Sequence, residues 1–264
     1  MFIKSKILKS PHAFSTRLGG VSAQEHTKEL NLAFGRGDED ETVFKNLEIF
    51  AHAVGFDPKS IVSVPQIHSD KILNVEKSDC GKGFFIRDGI DGADGYITDK
   101  SGITLGVKTA DCVPILFEAE VDGSIVAVGA VHAGWRGTLA GIAPKCAKLL
   151  CDSFGASPDH IRAAIGPSIR KCCYEVGVEL FDAAQEGIGE SLIRKYITPK
   201  IDSAQKFWCD LVGINRELLI KAGLLCENID VVEECTCCHP EKFYSHRYSN
   251  GVRGTMLNVI FVQD

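Results

Sequence analysis

Apolar residues fall along this chain in two kinds of pattern. Short apolar runs bounded by glycine or polar residues read as buried strands, and apolar positions three and four apart read as helices. Acidic Asp38-Glu39-Asp40-Glu41 precedes Val43, Leu47, Phe50, Ala51 and Val54, and the series stops at Gly55, which predicts a helix. Strands are predicted at 61–66 and 71–75, at 103–108 leading to Cys112, and at 125–131 ending beside His132. A glycine turn at Gly134 and Gly137 then leads into a helix starting near Thr138, with Leu139, Ile142, Ala143, Cys146, Leu149 and Leu150 on one face. Further helices are expected near 175–196 and 207–222, and late strands at 231–232 and 256–262. Residues 11–37 read as loop with short strands. Strands and helices mix without a strict βαβ rhythm, so the expected fold class is α+β: a single domain over 1–264 with mixed β-sheets flanked by helices.

The predicted elements place Cys112 and His132 at neighbouring strand ends, where side chains are held rigidly at the rim of a sheet. A cysteine and a histidine there are either nucleophile and base or two ligands of a soft metal. His68, in a polar loop between predicted strands, is the third candidate. Two histidines and a cysteine make a three-ligand site with an open fourth position, the usual form of a catalytic zinc. Arg136 sits by a helix start and glycines, a setting suited to an anion. Arg17 in Ser15-Thr16-Arg17-Leu18-Gly19-Gly20 has the same character, and Arg247 lies beside the aromatic pair Phe243-Tyr244. Asp111 is expected to serve the turn rather than a proton transfer.

Composition narrows the classes. The chain has 264 residues, 45% hydrophobic and 24% charged, as in ordinary globular proteins. A net charge of -6 argues against nucleic acid as partner. No apolar stretch reaches the length of a membrane span, and no secretory signal is expected. Eleven cysteines, an odd number, suit reduced thiols and a cytoplasmic location. The run Cys235-Thr236-Cys237-Cys238-His239 lacks a second pair at zinc-finger spacing, and Cys172-Cys173 are adjacent, so neither is expected to hold a metal. No coiled coil or dimer helix stands out, and a monomer is expected.

Several strings carry a resemblance. They are His12-Ala13-Phe14-Ser15-Thr16-Arg17-Leu18-Gly19-Gly20, Leu30-Asn31-Leu32, Gln66-Ile67-His68, Asp94-Gly95-Tyr96, Ala110-Asp111-Cys112-Val113-Pro114 and His132-Ala133-Gly134-Trp135-Arg136-Gly137. Ile165-Gly166-Pro167, Tyr174-Glu175-Val176, Asp210-Leu211 with Asn215, Cys235-Thr236 and Ser245-His246-Arg247 follow. In this order they resemble the YfiH-type laccase-domain family over nearly the whole chain. Ser168 and Gly251-Val252-Arg253-Gly254 depart from its commoner pattern.

The resemblance implies a fold similar in outline to the catalytic domain of cytotoxic necrotizing factor. It also implies His68, Cys112 and His132 as metal ligands, for zinc, with copper binding adventitiously. The implied activity is phosphorolysis of adenosine, inosine and S-methyl-5'-thioadenosine to base and ribose 1-phosphate, with adenosine deaminase activity beside it. Cys112, His132 and Arg136 are then the catalytic residues. Arg17, Asn31, Arg136 and Arg247 are the residues expected to bind substrate or phosphate. The His-x-Glu and Pro-Cys-x-x-Cys elements of common zinc deaminases are missing. The alternative is a Cys-His hydrolase or amidase, editing peptidoglycan precursors, with Cys112 as nucleophile and His132 as base. A non-enzymatic metal- or partner-binding module would use Trp135 as a contact. A copper-dependent polyphenol oxidase (laccase) is the weakest reading, because eight histidines with no His-x-His cannot hold several coppers.

Overall fold

A computed structural model describes residues 1–263 apart from residue 202. Five strands form one mixed sheet in the order β1 (Phe2–Ile3), β2 (His12–Ser15), β14 (Met256–Phe261), β6 (Thr104–Thr109) and β3 (Ile61–Val62). Six form a second, in the order β13 (Ile229–Val231), β9 (Ile161–Ile165), β7 (Val113–Val121), β8 (Ser124–Ala133), β5 (Gly95–Thr98) and β4 (Ile72–Asn74). A small third sheet joins β10 (Glu175–Gly177), β12 (Ser203–Cys209) and β11 (Ile197–Lys200). Parallel pairs β3–β6, β4–β5 and β9–β13 sit among antiparallel ones, so the two large sheets are mixed.

Side-chain alternation along β7 and β8 sorts the core into layers. Leu116, Val128 and Ala130 face the first sheet and pack with Phe14, Leu105, Val107 and Ile260. Ile115, Phe117, Val131 and Ala133 face the other way, onto α3 (Ile142–Phe154) and α6 (Leu211–Lys221). Truncating Phe117, fully buried between these layers, to alanine would cost about 3–5 kcal/mol. The outer face of the first sheet is covered by α1 (Asp40–Val54) through Val43, Leu47 and Phe50. That helix starts with Asp40 and Glu41 in its first turn and ends at Gly55 in the left-handed region, as its sequence predicts. The result is a mixed α/β domain of sheets between helices. Among the described residues no helix is long and apolar enough to cross a membrane.

Five elements differ from the sequence expectation. The expected strand 61–66 is cut to Ile61–Val62. Residues Val113–Val121, not anticipated as a strand, form the longest partner of β8 through a two-residue turn in which Asp122 and Gly123 both have positive φ. An Asp-Gly pair with that geometry matches the twist of a hairpin. The helix expected over 175–196 is β10 followed by α4 (Val178–Gly187) and α5 (Glu190–Tyr196). The helix expected from 207 begins at Leu211, because the Asp210 carboxylate accepts from the Gly213 N–H and caps it there. The helix expected from Thr138 is broken into α2 (Trp135–Leu139) and α3.

Candidate metal centre and anion cavity

The β7–β8 hairpin explains the twenty-residue interval between Cys112 and His132. Its register pairs Val113 with Ala133 and Pro114 with His132, which returns the chain to its starting edge. Cys112 therefore sits at the mouth of β7, not at the end of the strand 104–109, which belongs to the other sheet. Its neighbour Asp111 crosses between the sheets with φ 94°. That left-handed residue is clamped by the Thr236 hydroxyl at 2.6 Å and the Arg247 N–H at 2.7 Å, both donating to its carboxylate. Asp111 thus serves the turn.

Asp94, fully buried just before β5, orders both histidines. Its carboxylate lies 2.9 Å from His132 Nδ1 and accepts N–H groups from Ile67, His68 and Ser69, plus the Ser69 hydroxyl. These bonds hold His68 in its own left-handed conformation, φ 58°. Burial works against the Asp94 charge, but the hydrogen bonds from His132 and Ser69 prevail and hold its pKa down to about 2. With Nδ1 engaged, His132 turns Nε2 to the cavity.

The His68 and His132 rings meet edge to face, centroids 4.9 Å apart. One nitrogen of each and the Cys112 sulfur all lie within 4.8 Å of one another. A Cβ on Gly134 would come within 3.1 Å of His68 and 3.6 Å of the sulfur, so glycine keeps the cluster open on that side. Burial opposes ionisation of Cys112, yet His132 and His68 lower its pKa to about 6. Burial likewise opposes protonation of His132, and Cys112 with Asp94 raises it to about 9. The pair favours thiolate beside imidazolium, and the thiolate is the form that ligates a soft cation or attacks carbon. Two imidazoles, a thiolate and a carboxylate behind one imidazole fit the donor set of zinc.

Above the cluster opens a cavity of about 230 Å³ whose lining includes Arg36, Lys108 and Arg253 and no carboxylate. Among the described residues none of the three pairs with an acid. Arg253 donates through Nη1 to the Gly254 carbonyl and the Thr255 hydroxyl, while its buried Nε has no partner. Burial and the nearby Arg36 charge lower its pKa to about 10. Burial lowers that of Lys108 to about 8, with Nζ 4.4 Å from the centre of the Phe84 ring. Like charges around a space, with an orphaned donor, suit an anion.

The structure brings His68, Cys112 and His132 together and places the other expected residues outside this cavity. Arg136 is exposed on α2, its guanidinium 4.1 Å over the Trp135 ring. Arg17 donates to the Pro240 carbonyl and lies over Tyr244. Arg247 donates to the carbonyls of Cys173 and Glu175 and lines a separate cavity with Trp135 and Tyr174. Burial, and the Cys112 charge after it, push the Tyr174 phenol up. Asn31 is buried, donating to the Ala33 carbonyl and Asp38 and accepting from the Thr255 N–H, and so holds two wall residues in place.

Sequence reasoning missed Asp94, Arg36, Lys108 and Arg253. The signals were a lysine closing the apolar run before Thr109-Ala110-Asp111-Cys112, and an arginine between Gly35 and Gly37.

A family model described as multi-copper polyphenol oxidoreductase laccase matches residues 11–263. The purine nucleoside phosphorylase YlmD of Bacillus subtilis (strain 168) is 34% identical over 252 residues, covering 95% of this chain and 88% of that protein. The adenosine deaminase RL5 of an unknown prokaryotic organism is 33% identical over 247 residues, 92% of this chain and 90% of the other. The crystal structure of the Bacillus licheniformis hypothetical protein YfiH superposes with a TM-score of 0.87 at 31% identity, covering 96% of this chain and 92% of that one.

Proposed function

The chain belongs to the family described as multi-copper polyphenol oxidoreductase laccase, and from that membership and the site we propose that it is a zinc-dependent purine nucleoside phosphorylase, with adenosine deamination as a second activity. The observation that carries this reading is the juxtaposition, on one cavity, of three cations without an acidic partner among the described residues and a His68–Cys112–His132 cluster. Phosphorolysis needs an anion site beside the reacting sugar. Relatives named as a purine nucleoside phosphorylase and an adenosine deaminase supply the substrate class.

Arg36, Lys108 and Arg253 hold the phosphate. One phosphate oxygen bonds to C1′ of the ribose as the C1′–N9 bond breaks, and the purine leaves with the electron pair and takes up a proton. Positive charge gathering on the sugar is offset by the adjacent dianion, so holding that anion in a half-buried cavity stabilises the transition state. His68, Cys112 and His132 would hold zinc, which supplies Lewis acidity. Asp94 keeps both histidines in their orientation. Adenosine, inosine and S-methyl-5'-thioadenosine are the substrates to test first. All eleven cysteines are free thiols, which fits a reducing, cytoplasmic setting.

A laccase would need further imidazoles. The second donor cluster among the described residues holds only cysteines. One other reading is favoured by a specific arrangement: Asp94, His132 and Cys112 form a carboxylate–imidazole–thiol line, as in cysteine hydrolases. The two readings separate on His68, which a dyad does not use.

Purified protein is incubated with adenosine, with and without phosphate, and the products are separated. Free adenine and ribose 1-phosphate appear only with phosphate, inosine appears in both, and His68→Ala abolishes base release. No base release with phosphate would overturn the assignment, and full activity after chelation would overturn zinc dependence.

A further inference from the structure

A second set of thiols lies away from the cavity, and the pattern of the chain alone argues against it. Cys172 and Cys173 would face opposite ways in a strand. They lie instead in a tight turn, with the Cys173 and Tyr174 N–H groups both donating to the Arg170 carbonyl. In such a turn consecutive side chains can reach one point. Sixty residues on, Cys235 and Cys238 have the Cys-x-x-Cys spacing of a zinc knuckle. The two segments are zipped by backbone bonds from Ser168 to Glu234 and from Thr236 to Ser168. The zipper brings four sulfurs within 4.8 Å of one another.

The spacing decides what they can hold. Cys172 lies 3.6 Å from Cys235 and 3.5 Å from Cys238, and Cys173 lies 3.4 Å from Cys238. A zinc–sulfur bond of about 2.3 Å gives a tetrahedron whose sulfur–sulfur edge is about 3.8 Å. A disulfide needs about 2.05 Å, and no pair here is singled out by closer approach. Cys235 also accepts N–H groups from Arg170, at 3.4 Å, and from Cys238. Such bonds stabilise a thiolate ligand as they do in other thiolate sites.

We propose that Cys172, Cys173, Cys235 and Cys238 bind one zinc ion as a closed tetrathiolate site. On binding, each thiol gives its proton to solvent and its sulfur to the metal, with no change of oxidation state. The site staples the rim of the catalytic region. The Cys173 carbonyl accepts from Arg247, and Thr236 clamps Asp111 next to Cys112. Metal therefore fixes the turn carrying Tyr174 and, through the Cys173 carbonyl, the side chain of Arg247, without entering the cavity.

The test is thiol mapping on the full chain, stripped with chelator and kept reduced with a phosphine. The protein is alkylated with N-ethylmaleimide with and without added zinc, and its peptides are quantified. Zinc slows labelling of Cys172, Cys173, Cys235 and Cys238 by at least about tenfold, while exposed Cys226, outside the cluster, labels equally in both. Native mass spectrometry of Cys112→Ser then finds one zinc that the added pair Cys172→Ser and Cys238→Ser removes. If that variant does not fold, the labelling pattern of the unsubstituted chain decides. Equal labelling of the four thiols with and without zinc overturns the proposal, as does a disulfide among them in protein isolated without reductant. The result does not depend on whether adenosine is a substrate.

Discussion

Two clusters of soft donors occur in this molecule, and they are built to opposite plans. The His68–Cys112–His132 cluster mixes nitrogen and sulfur, offers three ligands and opens into a cavity edged with cations. The Cys172–Cys173–Cys235–Cys238 cluster is all sulfur, offers four ligands from two segments and lies at the surface, with Cys172 and Cys238 exposed. Three ligands leave a position for a reacting molecule, and four leave none. The surroundings follow the same division. Behind the first stands Asp94, which fixes ring orientation, and above it stand Arg36, Lys108 and Arg253. Around the second run backbone hydrogen bonds between two distant stretches of chain. Chemistry needs the open site and its charge, whereas holding the chain together needs only the closed one.

The sharpest way to break this contrast is to remove ligands from each cluster in turn. Cys112→Ala should lower kcat/KM for phosphorolysis by at least about a thousandfold, since a loss of ~4 kcal/mol of charge stabilisation has that effect on rate. Cys172→Ser with Cys238→Ser should stay within about threefold in kcat/KM while its thermal midpoint falls by about 2–8 °C, the shift for one to two kcal/mol in a chain of this size. Steady-state kinetics and calorimetry on both variants check this. A catalytic collapse in the double variant with an active Cys112→Ala would reverse the assignment of roles.

The next effect concerns the residue behind the open cluster. Asp94→Asn removes the charge facing His132 Nδ1 and should weaken zinc binding by about 10–100-fold, read by competition with a chromophoric chelator. Unchanged affinity would mean that Asp94 serves only the turn at 67–69. On the wall above, Arg253→Gln should raise KM for phosphate by about tenfold or more, the value of one charge-assisted hydrogen bond of about 1.5–3 kcal/mol. Adenosine deamination, which uses no phosphate, should keep its rate. Loss of both activities in equal measure would place Arg253 in general folding rather than in anion binding.

The open cluster could be read from the chain and the closed one could not, for physical reasons. Cys112 and His132 each stand beside an apolar run, and any sheet that buried those runs would bring them to an edge. The hairpin that does so is marked by Asp122-Gly123, but Pro114, Glu118 and Glu120 interrupt the apolar run of Val113–Val121 and mask it as a strand. Cys172 and Cys173 meet Cys235 and Cys238 only through a turn and a parallel zipper spanning sixty residues, and no local periodicity encodes that. The arginines show a further limit. Arg136 and Arg36 both neighbour glycines, yet only the second lines the cavity. The direction of a side chain depends on where its element packs. The helix starts were misplaced for the same reason around Phe207 and Trp208, whose aromatic bulk fits a strand or a helix and is settled by the Asp210 cap.

The smallest expected effect tests whether the cavity's charge, and not its shape, distinguishes the two clusters. Lys108 faces the Ser63 carbonyl and the Phe84 ring and has no carboxylate partner, so burial alone lowers its pKa to about 8. A lysine whose folded pKa is depressed loses its charge as pH rises through that value, below the range where an unfolded lysine would. Phosphate affinity should therefore fall as the solution passes from about pH 7 to about pH 9, by about fivefold in kcat/KM for phosphate. Inorganic phosphate becomes more dianionic over this window, which would raise its affinity for cations, so a falling limb belongs to the protein. Bound phosphate favours the ammonium form, and the inflection in kcat should lie at higher pH than that in kcat/KM. Lys108→Arg, always charged, should flatten the profile at high affinity, and Lys108→Met should flatten it at low affinity. The same inflection persisting in Lys108→Met would assign the titration to another group and leave Arg36 and Arg253 as the cavity's anion-holding residues.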